Sequence, residues 1–416
     1  MILDHAYIPT KYHSRFGLIG RFCTELIEAM QLAGVKVNQD LPDGHDAAVF
    51  FFNSFALSAL SEQRERLAGP GRTTPIVQWI IDHPLAFDAA ALDGWFELPA
   101  YRLATVCDDD LQLLRLRWPK LRAARVYHGV WPGALANPAS LPATHAGQAF
   151  PAASTTPHTT DISTAPPRDI DVLVAGSIAT DAELIKLTHA LPASLHTVAH
   201  EIAHLRAEQP HITIAQAMDL CLPVGIYAPD HWELLGRLQL LSVAILNIRR
   251  RVQLITALQG LHVTVLGGEN WAPHCTGTVT YAGQADFADM HRWIKRAKVC
   301  VALNPPQFAT GFSERLLLSM AGGAATVTDD RPAVRAEFCT PAPAGTRFSG
   351  TNSPFLRLFH AARPQEARAL CEQLLADHPA RVAMADAAVR AVAAGHLWAH
   401  RLPQLFGAAT HAVRNP

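Results

Sequence analysis

Short apolar runs alternate with helical stretches along the first third of the chain. Runs of strand character lie at Met1–Ile8, around Val35–Val37, and at His45–Asn53, Thr74–Asp82, Arg102–Cys107 and Ala124–His128, while Leu18–Leu32 has a helical pattern. Apolar runs of this length without clean alternation suit strands covered on both faces, as in a parallel sheet flanked by helices. The same grammar returns later in the chain. Asp169–Ala175 ends in Gly176-Ser177, His262–Leu266 ends in Gly267-Gly268, and Thr278–Tyr281, Val299–Leu303 and Ala325–Thr328 follow with helices between. The expected fold class is therefore α/β, with two Rossmann-like doubly wound domains.

Three stretches interrupt this pattern. Ala134–Pro167 is rich in Pro, Ala, Ser and Thr and carries a single carboxylate, Asp161, so it buries little and reads as a linker or a disordered insertion. Between Thr180 and Gly260 no run reads as a strand, and a helical insertion or lid is expected at about 181–259. From Pro364 the pattern is again helical, a C-terminal block that could cross back to the first domain. The expected organisation is 1–133 as the acceptor-side domain, 134–167 as linker, 168–363 as the donor domain with its insertion, and 364–416 as C-terminal helices.

Composition narrows the classes. At about 150 residues per domain, 416 residues imply two domains, and 49% hydrophobic against 17% charged residues can build a substantial core. A net charge of −1 gives no electrostatic case for nucleic acid or an anionic membrane. Arg249–Arg251, the one basic cluster, reads as an exposed turn of helix. Leu238–Ile248, the longest uncharged apolar run, falls well short of the roughly 20 residues that span a bilayer. With no signal-like N-terminus, a cytoplasmic location is expected. The seven cysteines are scattered without a C-x-x-C pair and read as reduced, mostly buried thiols.

In open α/β sheets ligands bind beyond the carboxyl ends of the strands, where backbone N–H groups meet anions. Gly17 and Gly20, with Arg21 beside them, and Gly176 and Ser177 are therefore candidates. Neither G-x-G-x-x-G nor G-x-x-x-x-G-K-[ST] occurs, which counts against a dinucleotide enzyme or a P-loop NTPase. Asp82, His83 and His128 end strands of the first domain and are candidate catalytic groups facing a cleft, since a histidine near neutral pKa can take a proton from a hydroxyl. His200-Glu201-Ile202-Ala203-His204 is a formal H-E-x-x-H, which on a helix puts two histidines on one face for zinc with Glu201 as base; His196 extends the row. Asp108-Asp109-Asp110 begins a helix and reads as capping rather than as a metal site.

The most informative segment runs from Tyr281-Ala282-Gly283-Gln284 through a helix, Val299–Leu303, Asn304-Pro305-Pro306, and Gly311-Phe312-Ser313-Glu314-Arg315 to Met320-Ala321-Gly322-Gly323 and Val327-Thr328-Asp329. Over Val279–Phe338 this order resembles the donor half of GT-B glycosyltransferases, and is most similar to the CgeB-like branch of families 1 and 4. Val77–Pro84 and Val126–Val130 are similar to that branch's first-domain segments. The resemblance implies sugar transfer from a nucleotide-sugar, UDP- or GDP-linked, to an unknown acceptor, with no cofactor and no metal. It implies donor contacts from Gly283, Gln284, Thr310, Gly311, Phe312, Ser313, Glu314 and Arg315. A helix opened by Thr310–Ser313 can turn its positive end to a diphosphate, and Arg315 can add a charge-assisted bond. The chain departs from the family pattern where two donor carboxylates are usual, carrying Leu318 and Thr310, with Glu314 about one turn before Leu318 as a substitute. A weak or inactive homologue and a zinc hydrolase are the alternatives.

Overall fold

The computed structural model describes residues 5–8, 18–38, 48–52, 75–87, 93, 95–96, 98–136, 168–222, 229–339 and 353–410. Gly17 and most of the linker stretch lie outside them. Two six-stranded parallel sheets organise the chain. The first contains β1 (His5–Tyr7), β2 (Lys36–Asn38), β3 (Ala48–Phe52), β4 (Ile76–Ile80), β5 (Tyr101–Thr105) and β6 (Ala123–Arg125), in the order β2-β1-β3-β4-β5-β6. The second contains β7 (Ile170–Ala175), β8 (Val263–Leu266), β9 (Val279–Tyr281), β10 (Ala297–Ala302), β11 (Ala325–Asp329) and β12 (Leu356–Phe359), in the order β12-β11-β10-β7-β8-β9. In each sheet the strand order reverses beside its first strand, between β1 and β3 and between β7 and β10. That is where a doubly wound sheet opens a crevice.

Every sequence-expected strand is present, and the fold is the expected two-sheet α/β class. β12 is the strand the pattern did not reveal, an edge strand buried only at its two ends, Leu356 and Phe359.

Alternation of side chains along the strands divides the first sheet into two apolar faces. Val49, Phe51, Ile76, Ile80 and Leu103 point one way; Phe50, Phe52, Val77, Trp79 and Ala104 point the other. The helices that cover them come mostly from far along the chain. On the first face lie α2 (Asp108–Arg117) and then α4 (His196–Glu208), α5 (Ile214–Cys221) and the front half of α6 (Trp232–Ala257), which follow α3 (Asp181–His189). Ile202, Ile214, Met218, Trp232, Leu235, Leu238 and Leu241 are buried in one cluster with the strands. The helical insertion is therefore no lid: it is the missing cover of the first sheet. Trp232 Nε1 donates to Phe87 O at 3.1 Å. A Cβ on Gly236 would stand 2.2 Å from Leu85 O, so only glycine lets α6 lie this close.

At 26 residues α6 extends about 39 Å at 1.5 Å per residue. Its far half buries Leu254, Ile255 and Leu258 against the second sheet, so one helix serves both cores. The second sheet also packs against α7 (Phe287–Arg296), α8 (Glu314–Ala321), α9 (Pro332–Phe338), α10 (Pro364–Ala376) and α11 (His378–Gly395).

The other face of the first sheet is covered by α1 (Leu18–Leu32) and by α12 (Trp398–Thr410), which does cross back. Trp398 packs edge-on to Trp79 and Phe22, and its Nε1 donates to Glu25 Oε2 at 2.6 Å. Val130 N donates to His396 O, and Trp398 N to Val130 O, at 3.0 and 3.2 Å. Among the described residues no helix is long and apolar enough to cross a membrane. Cys23, Cys107, Cys300 and Cys371 are buried, and all seven thiols are free.

Candidate active site in the interdomain cleft

A cavity of about 260 Å³ opens beyond the carboxyl ends of β7, β8 and β10, at the switch point of the second sheet. Leu18, at the start of α1, closes it from the first half. Gly176 and Ser177 after β7, Gly267 after β8, Pro305 and Gln307 after β10, Gln284, and Glu314 and Arg315 in the first turn of α8 line it from the second. Asn247 and Arg251 of α6 complete the lining.

The strand-end glycines have a specific task. Gly176 has φ +147°, and a Cβ there would stand 2.2 Å from Arg251 Nη1. A glycine at this point lets the guanidinium reach the cavity wall. Arg251 Nε donates to Asn247 Oδ1 at 2.7 Å, and Asn247 Nδ2 donates to Ser177 O at 3.0 Å, so the arginine is fixed from behind. Burial, and then the nearby charge of Arg315, pushes the Arg251 pKa down to about 9; it is still a cation at neutral pH. Arg315 stands beside Glu314, Nε to Oε1 3.8 Å, and its Nε has no hydrogen-bond partner. Two guanidiniums thus enter one small cavity from different helices.

Arg251 was not a sequence candidate, because the basic triplet reads as an exposed turn. The structure corrects this: Arg250 and Arg251 are 3% and 1% exposed. The signal was present in the position of the triplet, one turn beyond an apolar run that must be buried.

Gly176, Ser177, Gln284, Glu314 and Arg315 line the one cavity, and Gly283 backs them by accepting from Gly267 N at 3.1 Å. Gly20 lies outside the cavity lining, and a Cβ there would meet nothing within 4 Å.

Residues 310–313, expected at the donor site, lie outside the cavity lining. The Thr310 hydroxyl faces the first half, where it accepts from Asp108 N and Asp109 N at 3.1 and 3.3 Å and donates to the Asp109 carboxylate. It thereby caps α2, whose own N-cap, Cys107, supplies no side-chain bond. A Cβ on Gly311 would stand 2.6 Å from Val106 O, and Phe312 stacks on Tyr127 at 4.5 Å. Ser313 N donates to Asn304 Oδ1 at 2.9 Å; Asn304 in turn donates to Asp329 from its backbone N and its Nδ2, at 2.7 and 3.0 Å. These four residues seat α8 against both halves and so aim Glu314 and Arg315.

The three catalytic candidates separate. His128 is buried against Phe22 and Trp79, with its Nε2 4.0 Å from Glu314 Oε2 and neither ring nitrogen hydrogen bonded. Burial pushes its pKa down to about 4, against the pull of Glu314. The ring is neutral at pH 7, and it adjoins the cavity through Glu314. His83 is turned instead to structure: Nδ1 accepts from Leu85 N at 3.3 Å, and Nε2 lies 3.6 Å from Asp110 Oδ1. Burial pushes its pKa down to about 3, while burial and the charge of Asp109 raise that of Asp110. Asp82 is exposed at the end of β4, close enough to Asp110 for its charge to be felt there, and outside the cavity lining.

The H-E-x-x-H residues do not assemble. His200, Glu201 and His204 lie on the exposed side of α4, with His204 Nδ1 held by Arg249 Nη1 at 3.1 Å. His196 Nε2 is engaged by the carbonyls of Thr188 and Leu191. Among the described residues no group of three or more His, Cys, Asp or Glu is placed to hold a metal. Asp108, Asp109 and Asp110 form the first turn of α2, but the cap bonds are supplied by Thr310 rather than by these carboxylates.

Two doubly wound domains with a cavity between them constitute the GT-B fold. The chain is similar to sucrose-phosphate synthase from Thermosynechococcus elongatus over 98% of its own length and 99% of that chain, at 11% identity and a TM-score of 0.50. Lower similarity is found to Anabaena HepE in complex with UDP and glucose (9% identity, 98% and 99% coverage, TM-score 0.45). The UDP-forming trehalose-phosphate synthase from Burkholderia vietnamiensis is comparable (12% identity, 97% and 79% coverage, TM-score 0.44). No curated protein matches the sequence. Residues 249–407 match the family model described as Glycosyl transferase-like, so this part of the chain is a glycosyl transferase-like domain. The match is to the general model and does not single out the CgeB-like branch.

Proposed function

We propose that the chain transfers a glycosyl group from a nucleoside-diphosphate sugar bound in the cleft cavity to an acceptor entering from the first half. The observation that carries this reading is the pair Arg251 and Arg315, delivered by separate helices to one cavity whose wall is the glycine end of β7. A departing diphosphate gains negative charge, and fixed guanidiniums in a low-dielectric site stabilise it without reorganisation. Two such cations supply the charge that a divalent metal supplies elsewhere, which makes the reaction metal-independent. His128 is a weak base at pKa about 4 and acts as a positioning residue for Glu314, which lines the cavity. Asp82, His83 and the exposed histidine row take no part. The donor is UDP- or GDP-linked and the location cytoplasmic, as the sequence suggests.

Titration calorimetry with UDP, GDP, dTDP and their sugars, in EDTA, tests the reading. Binding of at least one nucleotide is expected, weakened at least about 10-fold by Arg315→Met, since a charged hydrogen bond contributes about 1.5–3 kcal/mol. No binding of any of them at millimolar concentration overturns it.

A second reading has one observation in its favour. Leu318 is buried in the core and Thr310 is committed to Asp109, so both positions where the resemblance implies donor carboxylates are closed. That favours a nucleotide-sugar binder of low activity. Turnover of a nucleotide-sugar, even as slow hydrolysis, excludes it.

A further inference from the structure

Three arginines outside the cavity lining converge between the helical insertion and the second sheet. Arg206 of α4, Arg250 of α6 and Arg331, which precedes α9, are 1%, 3% and 0% exposed. They gather on one turn of chain. Arg206 Nε donates to Ile212 O at 3.2 Å, Arg250 Nη2 to Arg206 O at 2.5 Å, and Arg331 Nη1 to Pro210 O at 3.2 Å. Arg206 Nη2 reaches Pro306 O at 2.6 Å, tying the same turn to the loop after β10. Four further nitrogens, Arg206 Nη1, Arg250 Nε and Nη1, and Arg331 Nη2, have no hydrogen-bond partner.

Charge is unbalanced as well. Asp329 is bonded to Arg331 Nε at 2.5 Å, and its other oxygen is taken by Asn304. Asp109, with an unpartnered Oδ2, faces Arg206 and Arg331 from the first half. Three cations against these two carboxylates leave an excess of one positive charge. Burial first, and then the charge of Arg331, lowers the pKa of both Arg206 and Arg250, so the three guanidiniums lie within electrostatic reach of one another. Buried guanidinium groups left with unmatched donors and unmatched charge are strongly unfavourable.

We infer that Arg206, Arg250 and Arg331 form a buried site for one monovalent anion of chloride size, held by the four free guanidinium nitrogens. One negative charge matches the excess, and donors from three planar groups suit a spherical acceptor. The anion ties α4 and α6, the cover of the first sheet, to the β11–α9 corner of the second. It is distinct from the cleft cavity, whose lining includes none of the three arginines.

The test uses the full chain without nucleotide, so it is independent of the donor-site reading. Thermal melts are compared in chloride, bromide and gluconate at constant ionic strength, and bromide-soaked crystals are examined for anomalous density. A saturable halide-dependent rise in Tm of about 2–4 °C is expected, with a bromide peak among the three guanidiniums. Arg250→Met, which removes the excess charge, abolishes the halide dependence; Arg250→Lys retains part of it and guards against a folding defect. Equal melting in chloride and gluconate, or bromide crystals with no peak between these side chains, overturns the proposal.

Discussion

The two sheets have the same strand count and the same doubly wound order, yet they are covered in opposite ways. The second is packed by helices from its own half, with only a small patch, Tyr127 to Leu135, contributed from the end of the first half and the start of the linker. The first keeps α1 and α2 and borrows the rest: one face from Leu191 to Leu241, the other from Trp398 to Leu405. Nine large apolar side chains between Leu191 and Leu241 are buried in the first of these covers. At about 1.5–3 kcal/mol each they contribute on the order of 10 kcal/mol or more, comparable with the whole net stability of a domain, about 5–15 kcal/mol. Strand order alone therefore does not define an autonomous unit; ownership of the cover does.

The largest effect expected from this asymmetry is on fragments. Residues 1–136 expressed alone should lack cooperative unfolding and bind hydrophobic dyes. A fragment with a sharp thermal transition and dispersed amide resonances would remove the distinction between the two sheets.

A smaller effect concerns acid. His128 and His396 lie where α12 rejoins the first half. His396 Nδ1 accepts from Arg401 Nη2 at 2.7 Å, and Arg401 Nε donates to His128 O at 2.9 Å. Burial, then the charge of Arg401, pushes the His396 pKa down to about 3; burial, with Arg401 and Arg315 adding and Glu314 opposing, pushes His128 to about 4. A histidine with a folded pKa below its unfolded 6.5 contributes stability that is present above pH 6.5 and lost as pH falls toward the folded value. Each should lose about 1.4 kcal/mol per pH unit over that window. His83, pushed down to about 3, adds to the same window, so urea unfolding at pH 7, 6 and 5 should show this slope, reduced by roughly a third in His396→Gln. Stability that stays flat from pH 7 to 5 would mean that the returning helix is held by something other than this neutral seam.

The smallest effect is at the seam itself. Thr310→Val removes the cap that the second half places on α2, at a cost of about 1 kcal/mol. Nucleotide affinity should change little, because the cavity lining is intact. A loss of binding as large as that of Arg315→Met would return Thr310 to the donor site.

How far the sequence revealed all this depended on whether the governing interactions were local. Strand patterns and the glycines ending β7 were legible because their causes lie within a few residues. Arg315 and Glu314 were legible through the resemblance around them. β12 was missed because an edge strand buries only part of its surface, and its four residues alternate too weakly to stand out. Arg251 and Thr310 were misread for a different reason. Their roles are set by partners 76 and about 200 positions away, Ala175 and Asp109, and nothing in an isolated triplet or loop records such a meeting. The helical insertion was recognised as helical, but its destination was invisible for the same reason.

The borrowed covers also set a timetable for synthesis. The last strand of the first sheet ends at Arg125, yet Leu405, at the far end of its second cover, follows 280 residues later (405 minus 125). At about 5–20 residues per second this is roughly 15–60 s during which a nascent sheet has its Trp79 and Phe52 face incompletely shielded. The enzyme's first half, although translated first, is the half that must be completed last.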